Sequence, residues 1–307
     1  MEYDVTQISL EMGVEPRYVE KTLRISDLLL RMSEVRFLKE RLSLYGGTAL
    51  NFIHLKSVPR LSIDLDFNYR HPEEKEWYEE RDEIDAYLKR VLNDMGYADI
   101  SIQASYPLVR MDVHYTNLLK AHDSFKIEIG YMRRMPVMRS DVYDNFLHSG
   151  TKERFEVLTP RREELFSNKL ATLLSRSSGR DVFDAYMIAR SDFDRDTLRK
   201  CLVIESLMDG LKLHETDIEG AVRKAAIDSY LKNLLRAKPP ADIYEAVWIF
   251  LSGLVKELKP CEMEVQEDFF RTGRLETKNM DPEGVLNPRL NSHPLIQRQR
   301  QKLSKER

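Results

Sequence analysis

The sequence predicts an α+β protein in which a domain with a mixed sheet is followed by an all-α domain. Four stretches in the first half alternate between apolar and polar residues, as half-buried strands do. From residue 161 onward the apolar residues follow helical spacing, and strand patterns are scarce. Thr159 and Pro160, a pair that commonly starts a helix, mark the change.

The composition limits the class of protein. The chain has 307 residues, of which 42% are apolar, enough to bury one large core or two small ones. Its net charge of −3 argues against a general nucleic-acid binder, although a local basic patch stays open. Cys201 and Cys261 match neither zinc nor disulfide spacing, and no apolar segment is long enough for a membrane span. We therefore expect a cytoplasmic protein with free thiols and no membrane association.

The first predicted elements surround a pair of glycines. Residues 15–43 carry an apolar stripe at helical spacing and should form a helix. A short strand at Leu42–Tyr45 should stop at Gly46 and Gly47. A helix should then begin at Thr48, with Thr48 as its cap.

Residues 60–68 form the clearest predicted strand, because their alternation is unbroken. The apolar face carries Leu61, Ile63, Leu65 and Phe67. The polar face carries Arg60, Ser62, Asp64, Asp66 and Asn68.

The remaining predicted elements divide the chain into three expected segments. Residues 71–94 favour a charged helix, and strands should follow at residues 100–105, 109–115 and 124–131. After Pro260 the prolines and the scarcity of apolar residues predict an extended tail with a basic end. The expected boundaries are 1–158 for the first domain, 159–260 for a helical domain that completes an active-site cleft, and 261–307 for the tail.

Two carboxylates on the polar face suggest a metal site. Asp64 and Asp66 stand at i and i+2 of a strand, so they point to the same side and can share a divalent metal ion. A third carboxylate from a neighbouring strand would complete the site, and both Glu128 and Asp112 are candidates by the same alternation. The alternative is that these acids only form the solvated face of a sheet.

The glycine turn strengthens the metal hypothesis. Gly46 and Gly47 would let a phosphate approach the backbone where the helix N-terminus offers free N–H groups, and Thr48 could add a hydroxyl contact. A plain strand–helix turn would look the same. A phosphate cradle followed by a carboxylate pair is a more specific combination than either part.

Two groups of motifs resemble a known family. Residues 46–51 (GGTALN) and 60–67 (RLSIDLDF) resemble the signature of the AbiEii/AbiGii toxins, which are nucleotidyltransferase-like proteins of the DNA polymerase β superfamily. Some of them belong to abortive-infection toxin–antitoxin systems. Residues 165–170 (LFSNKL) and 178–184 (SGRDVFD) resemble the Lys-Leu helix and the Arg-Asp-x-x-Asp motif of the same family. The resemblance runs from about residue 15 to about residue 200.

The resemblance implies a polymerase-β-like fold and a role for each matching residue. Gly46, Gly47 and Thr48 would hold the triphosphate, with Ser62 beside them, and Asp64 and Asp66 would bind metal. Ser62 would then be a plausible target for inactivating modification. Lys169 would reach the nucleotide phosphates, and Asp181 or Asp184 would complete the catalytic cleft. Glu128 lies outside the matching motifs, so its role as a third metal ligand has the least support from the resemblance.

Spacing gives the second group of roles a physical basis. Lys169 lies four residues from both Leu165 and Leu173, and therefore on an otherwise apolar helix face. Asp181 and Asp184 stand three apart and can point together. The alternatives are a lysine at the surface, helix capping by Asp181, and an ion pair between Arg180 and Asp184.

These observations predict an Mg²⁺-dependent nucleotidyltransferase, with two ions. It would transfer a nucleotidyl group from a nucleoside triphosphate to a hydroxyl. The resemblance implies that the acceptor is an RNA, with the 3′ end of a tRNA as the first candidate. It also implies a cognate antitoxin as partner. The alternatives are nucleotide binding without turnover, and transfer to a hydroxyl of a protein or of a small molecule such as an aminoglycoside.

Overall fold

A computed structural model describes residues 3–55, 57–71 and 76–305. The chain separates into two compact units. Unit 1 comprises Met1–Arg134, Val142–Thr159 and Asn233–Lys238, and unit 2 comprises Met135–Asp141, Pro160–Lys232 and Pro239–Arg307.

Unit 1 is built on seven strands and five helices of the described residues. The helices are α1 (Val5–Met12), α2 (Pro16–Glu34), α3 (Arg36–Arg41), α4 (Gly46–Ala49, continued as a π-helical turn over Leu50–His54) and α5 (Trp77–Asp94). The strands are β1 (Leu42–Tyr45), β2 (Asp64–Tyr69), β3 (Ile100–Ser105), β4 (Leu108–Thr116), β5 (His122–Gly130), β6 (Val142–Leu147) and β7 (Arg154–Thr159).

The main sheet has five strands in the order β1-β2-β5-β4-β3. Strands β2 and β5 are parallel and the other neighbours are antiparallel, so the sheet is mixed, as expected. Leu65 and Phe67 of β2 and Ile127 and Ile129 of β5 are buried on one face, and α2 packs against β5. The other face carries the polar residues of the alternating stretches and is therefore available for chemistry.

The sequence-based boundaries differ from the structure in several places within unit 1. The strand predicted over residues 60–68 begins only at Asp64 and ends at Tyr69, while Arg60 forms an isolated bridge with Leu235. The helix predicted over residues 15–43 is two helices, because Val35 adopts an extended backbone between them. The helix predicted over 71–94 begins at Trp77, and residues 72–75 lie outside the described residues. Strands β6 and β7 were not predicted, because exposed residues such as Tyr143 interrupt their apolar pattern.

Unit 2 is helical in its described residues after Pro160. Its long helices are α6 (Arg162–Arg176), α7 (Gly179–Ala189), α8 (Arg195–Asp209), α11 (Ile243–Lys256), α12 (Pro260–Thr272) and α13 (Pro294–Lys305). The short helices are α9 (Ile218–Lys224) and α10 (Ser229–Leu234), the second of which ends in unit 1. Helix α6 packs against α7 and α8, and this contact forms the centre of the unit.

The prediction of an extended tail over residues 261–307 is wrong for residues 261–272 and 294–305, which are helical, whereas residues 273–293 form no α-helix. Pro260 and Pro294 each occupy the first position of a helix, where a missing N–H costs nothing, so they start α12 and α13. The few apolar residues are spaced for helix packing, since Val265, Phe269 and Ile296 are buried. Glu306 and Arg307, at the predicted basic end, lie outside the described residues.

None of the helices in the described ranges is long and apolar enough to cross a membrane. Both cysteines are free thiols, and Cys201 is buried.

A charge cluster on α8 should make the stability of unit 2 sensitive to acid. Hydrogen bonds from Lys259, then from Lys200 and Arg199, hold the pKa of Asp196 well below its ordinary value. A carboxyl with a depressed folded-state pKa stabilises the fold above its unfolded pKa, and this contribution is lost as the pH falls through the folded value. We expect the free energy of unfolding to decrease below about pH 4, and the Asp196→Asn variant to show a smaller decrease. Urea unfolding at neutral and acidic pH measures both.

The control for this prediction is Asp242→Asn, which removes an exposed carboxylate outside the cluster. It should keep the pH dependence of the unchanged protein. Equal pH dependence in all three proteins would show that Asp196 does not cause the acid sensitivity.

Candidate functional site

The Asp66 carboxylate lies directly against Gly46. A Cβ atom on Gly46 would stand 2.0 Å from Asp66 Oδ2, so no other residue fits there without displacing the carboxylate. Gly46 also has a φ of +72°, in the left-handed region that favours glycine. The turn between β1 and α4 therefore brings a helix N-terminus next to a carboxylate of β2.

Gly47 makes room for a buried arginine that the sequence-based site did not include. A Cβ on Gly47 would lie 2.6 Å from Arg60 Nη2 and 3.0 Å from Ser62 Oγ. Arg60 is only 3% exposed, and its Nη1 donates to the Leu61 carbonyl oxygen at 3.1 Å. The signal was present in the sequence, because Arg60 starts the polar face that continues through Ser62.

Thr48 joins the turn to β2. Its hydroxyl donates to the Asp64 carbonyl oxygen at 2.6 Å and lies 2.9 Å from the Ser62 hydroxyl. The prediction that Thr48 caps the helix is wrong, because the helix begins at Gly46 and the Thr48 hydroxyl binds another segment. Thr48 and Ser62 are buried, and their contacts hold the segment that leads into β2 against the turn. A contact of either with nucleotide stays a prediction.

Asp64 and Asp66 lie on one face of β2 and are half-buried. In the parallel register Asp66 stands opposite Glu128 and Asp64 stands opposite Lys126. Asp112 is on β4, one strand further away, and stands opposite Lys126. Of the two candidates for a third carboxylate, Glu128 is thus the neighbour of the pair.

Glu128 is engaged by an arginine. Arg110 on β4 approaches Glu128 Oε1 with Nη2 at 2.6 Å and donates to it from Nε at 2.8 Å. This hydrogen bond and the charge of Glu128 raise the pKa of Arg110. A metal role for Glu128 would require it to exchange this guanidinium for the ion.

The predicted residues of unit 2 form two ion pairs. Lys169 Nζ lies 3.0 Å from Asp184 Oδ2, with Lys169 about 8% and Asp184 about 1% exposed. Asp181 accepts hydrogen bonds from Arg176 Nε at 2.7 Å and Nη2 at 2.9 Å. Lys169 is therefore a buried lysine with a carboxylate partner and not a surface lysine. The alternative ion pair between Arg180 and Asp184 does not form in the described part of the chain, where Arg180 is exposed and Asp184 pairs with Lys169.

The donors on β2 suit a hard divalent cation. Asp64 and Asp66 supply carboxylate oxygens from alternate positions of one strand, and the space a Cβ would fill at Gly46 belongs to one of those carboxylates. Among the described residues, three ligand groups come within 4.8 Å of one another only at His214, Glu215 and Glu267, which are exposed. Lys212 Nζ lies 3.0 Å from Glu215 and 3.2 Å from Glu267, so both carboxylates of that cluster already have a cationic partner.

Comparison with known proteins identifies the family. Residues 27–250 match the family described as nucleotidyl transferase AbiEii toxin, type IV toxin–antitoxin system. Comparison with curated proteins gives no match. A similar solved structure is MenT4, a nucleotidyltransferase toxin from Mycobacterium tuberculosis H37Rv, with a TM-score of 0.64 and 18% identity over 85% of this chain and 92% of that chain.

The likeness to MenT4 confirms the expected fold class, and the family match confirms the resemblance. The family match spans well over half of the chain and includes both the glycine turn and the carboxylate strand. This chain belongs to the AbiEii family of nucleotidyltransferase toxins of type IV toxin–antitoxin systems.

Proposed function

We propose that this toxin transfers a nucleotidyl group from a nucleoside triphosphate to a hydroxyl at the 3′ end of an RNA, with tRNA as the preferred acceptor and Mg²⁺ as cofactor. The observation that carries the proposal is the contact between the glycine turn and Asp66. It sets backbone N–H groups, which suit phosphate, beside carboxylates, which suit a divalent cation. Binding of a phosphate alone would not require the carboxylate pair.

The proposed reaction is a substitution at the α-phosphorus. The acceptor hydroxyl oxygen forms a bond to that phosphorus, the bond to the β-phosphate bridging oxygen breaks, and pyrophosphate leaves with the electron pair. The proton of the hydroxyl passes to a nearby base or to solvent. The task of the chain is to align the two reactants and to stabilise the charge that develops.

Asp64 and Asp66 would hold Mg²⁺, and the proposed number of ions is two. When bound, the cations neutralise the triphosphate and favour the ionised acceptor oxygen. Glu128 is the proposed third ligand because it stands opposite Asp66 in the sheet, provided that it leaves Arg110. Asp112 is the less favoured candidate.

Lys169 and Asp184 belong to the other compact unit, and their role in nucleotide binding stays a prediction from the family motifs.

A double-mutant cycle separates this role from a structural one. Because the pair is buried, Lys169→Met should lower the free energy of unfolding by about 3 kcal/mol, and Lys169→Met with Asp184→Leu should recover most of it. Transfer should be lost in both variants. Urea unfolding and a transfer assay measure the two effects. Recovery of transfer in the double variant would reduce the pair to a structural role.

The test of the proposed function is incubation of the purified protein with each α-labelled nucleoside triphosphate, Mg²⁺ and total tRNA. We expect label at the RNA 3′ end from at least one nucleotide, and none when EDTA replaces Mg²⁺. Blocking the 3′ hydroxyl by periodate oxidation should prevent labelling. Label on a protein or on a small hydroxyl compound, or nucleotide binding without transfer, would overturn the RNA assignment in favour of the corresponding alternative.

The family implies a cognate antitoxin as partner, and depletion of usable tRNA would account for growth arrest. Since both proposed substrates are cytoplasmic, we expect the reaction to occur there.

A further inference from the structure

Helix α13 concentrates positive charge in a chain that is acidic overall. The whole chain has a net charge of −3, yet residues 294–305 contain two arginines and two lysines and no carboxylate. The four cations are Arg298, Arg300, Lys302 and Lys305. Such a local excess raises the potential at one surface although the protein as a whole repels polyanions.

One side of α13 is fixed to unit 2 by specific contacts. Ile296 is buried, and Gln299 Nε2 donates to the Met208 carbonyl oxygen at 2.7 Å. Arg300 Nε donates to the Gly273 carbonyl oxygen at 2.6 Å, and its Nη2 donates to Asn291 Oδ1 at 2.8 Å. The Arg300 side chain therefore serves to dock the helix, and the orientation of the other side is set.

The other side presents what we call the basic stripe, which consists of Arg298, Lys302 and Lys305. These residues stand at i, i+4 and i+7, so they lie on one helix face over about 10 Å of axis. All three are exposed, and none forms an ion pair with a residue in the described part of the chain. Like charges at this spacing oppose helix formation by a few tenths of a kcal/mol.

Nearby cations behave differently. Arg271 and Arg274, on and just after α12, are each paired with a carboxylate, Asp268 and Glu276 respectively. The basic stripe thus differs from these two neighbouring arginines, each of which has a carboxylate partner. Within residues 3–55, 57–71 and 76–305 the stripe keeps three cations without ion-pair partners, and such a surface is complementary to a polyanion.

We propose that the basic stripe binds the phosphate backbone of the acceptor RNA. This inference rests on the proposed function, because it assigns a surface to the RNA substrate. The described residues of α13 include no aromatic side chain on which a base could stack, so the contact would be independent of base sequence. Its contribution would be to affinity and not to the chemical step.

The test measures binding of full-length protein to a labelled tRNA pool between about 50 and 200 mM salt. In Arg298→Gln/Lys302→Gln/Lys305→Gln, the slope of log K against log salt should become shallower by about 2 to 3, because each phosphate contact contributes about 0.7 to 0.9. The KM for RNA should rise at least tenfold with kcat unchanged. Glutamine keeps the helix propensity and removes the repulsion between like charges, so the urea unfolding midpoint should not fall.

The matched control is Lys89→Gln/Arg90→Gln/Lys120→Gln, which removes three exposed cations from unit 1 and gives the same net charge. It should retain the salt slope of the unchanged protein to within about one phosphate contact. If the control loses as much slope as the stripe variant, the effect is one of net charge and the proposal is wrong. The proposal is also wrong if the stripe variant binds RNA as tightly as the unchanged protein. Loss of binding to an acidic protein, with RNA binding unchanged, would assign the stripe to a protein partner and would equally refute the proposal.

The two proposals can fail separately. If the unchanged protein labels tRNA and the stripe variant binds tRNA with the same slope, only the basic stripe is refuted. If the stripe variant loses RNA affinity and salt dependence but the unchanged protein labels no RNA, the binding surface is supported and the transfer reaction is refuted.

Discussion

Asp66→Asn is expected to reduce nucleotide transfer by about a thousandfold or more while the protein stays folded, since the loss of a metal-binding charge removes several kcal/mol of transition-state stabilisation. Asparagine keeps the shape of the side chain beside Gly46, so the turn should keep its structure. Transfer is measured as label incorporated into tRNA, metal binding by titration with Mn²⁺, and folding by the urea midpoint. Asp64→Asn should behave in the same way.

The matched control is Asp112→Asn, which removes a half-buried carboxylate from the same polar face of the sheet. Because β4 is separated from β2 by β5, this variant should keep most of its activity and its Mn²⁺ affinity. Equal losses for Asp66→Asn and Asp112→Asn would mean that the metal site is centred elsewhere on the sheet. Glu128→Gln, compared in the same assay, decides which residue is the third carboxylate.

Gly46→Ala is expected to reduce transfer by about a hundredfold or more through geometry alone, without a change in charge. The added methyl group would overlap Asp66 Oδ2, so the carboxylate must move, and a displacement of about 1 Å can cost a hundredfold in rate. Alanine at a φ of +72° should also destabilise the fold by about 1 to 2 kcal/mol. Transfer activity and the free energy of unfolding, measured on the same preparation, separate the two effects.

Gly13→Ala is a close control for backbone strain. Gly13 has a φ of +66° and no atom within 4 Å of the position of a Cβ. It should therefore lose a similar free energy of unfolding but keep its activity. If Gly46→Ala retained transfer at a level comparable to Gly13→Ala, the close packing of the glycine turn on Asp66 would have no catalytic importance.

Together these variants distinguish a catalytic centre from a sheet surface that is merely polar. Asp66→Asn removes the charge of the carboxylate and keeps its shape, whereas Gly46→Ala keeps the charge and displaces the carboxylate. Only a site that needs both the carboxylate and its position next to the turn should fail in each case.

Local patterns in the sequence were sufficient to predict the β2 face and the turn. Alternation placed Leu65 and Phe67 inside and Asp64 and Asp66 outside, because successive side chains of a strand point to opposite faces. Helical spacing likewise placed Lys169 among buried leucines. The family motifs contain these same residues, so the motifs and the local patterns indicate the same site.

Prolines show where local patterns misled. The prolines from Pro260 onward predict an extended tail, although Pro260 and Pro294 are equally suited to the first turn of a helix, which is where they lie. Only burial of Phe269 and Ile296 against the rest of unit 2 decides between the two outcomes. The exposed basic stripe exists because that packing fixes one side of α13.

The sequence by itself therefore determined the fold class, the polar face of β2 and the family. Tertiary structure alone decided that Asp66 rests on Gly46, that Glu128 rather than Asp112 is the neighbour of the pair, and that Lys169 is paired with Asp184. The physical reason is the range of the interactions. Periodicity within one element follows from its own backbone geometry, whereas strand register and buried ion pairs depend on segments that are distant in the chain.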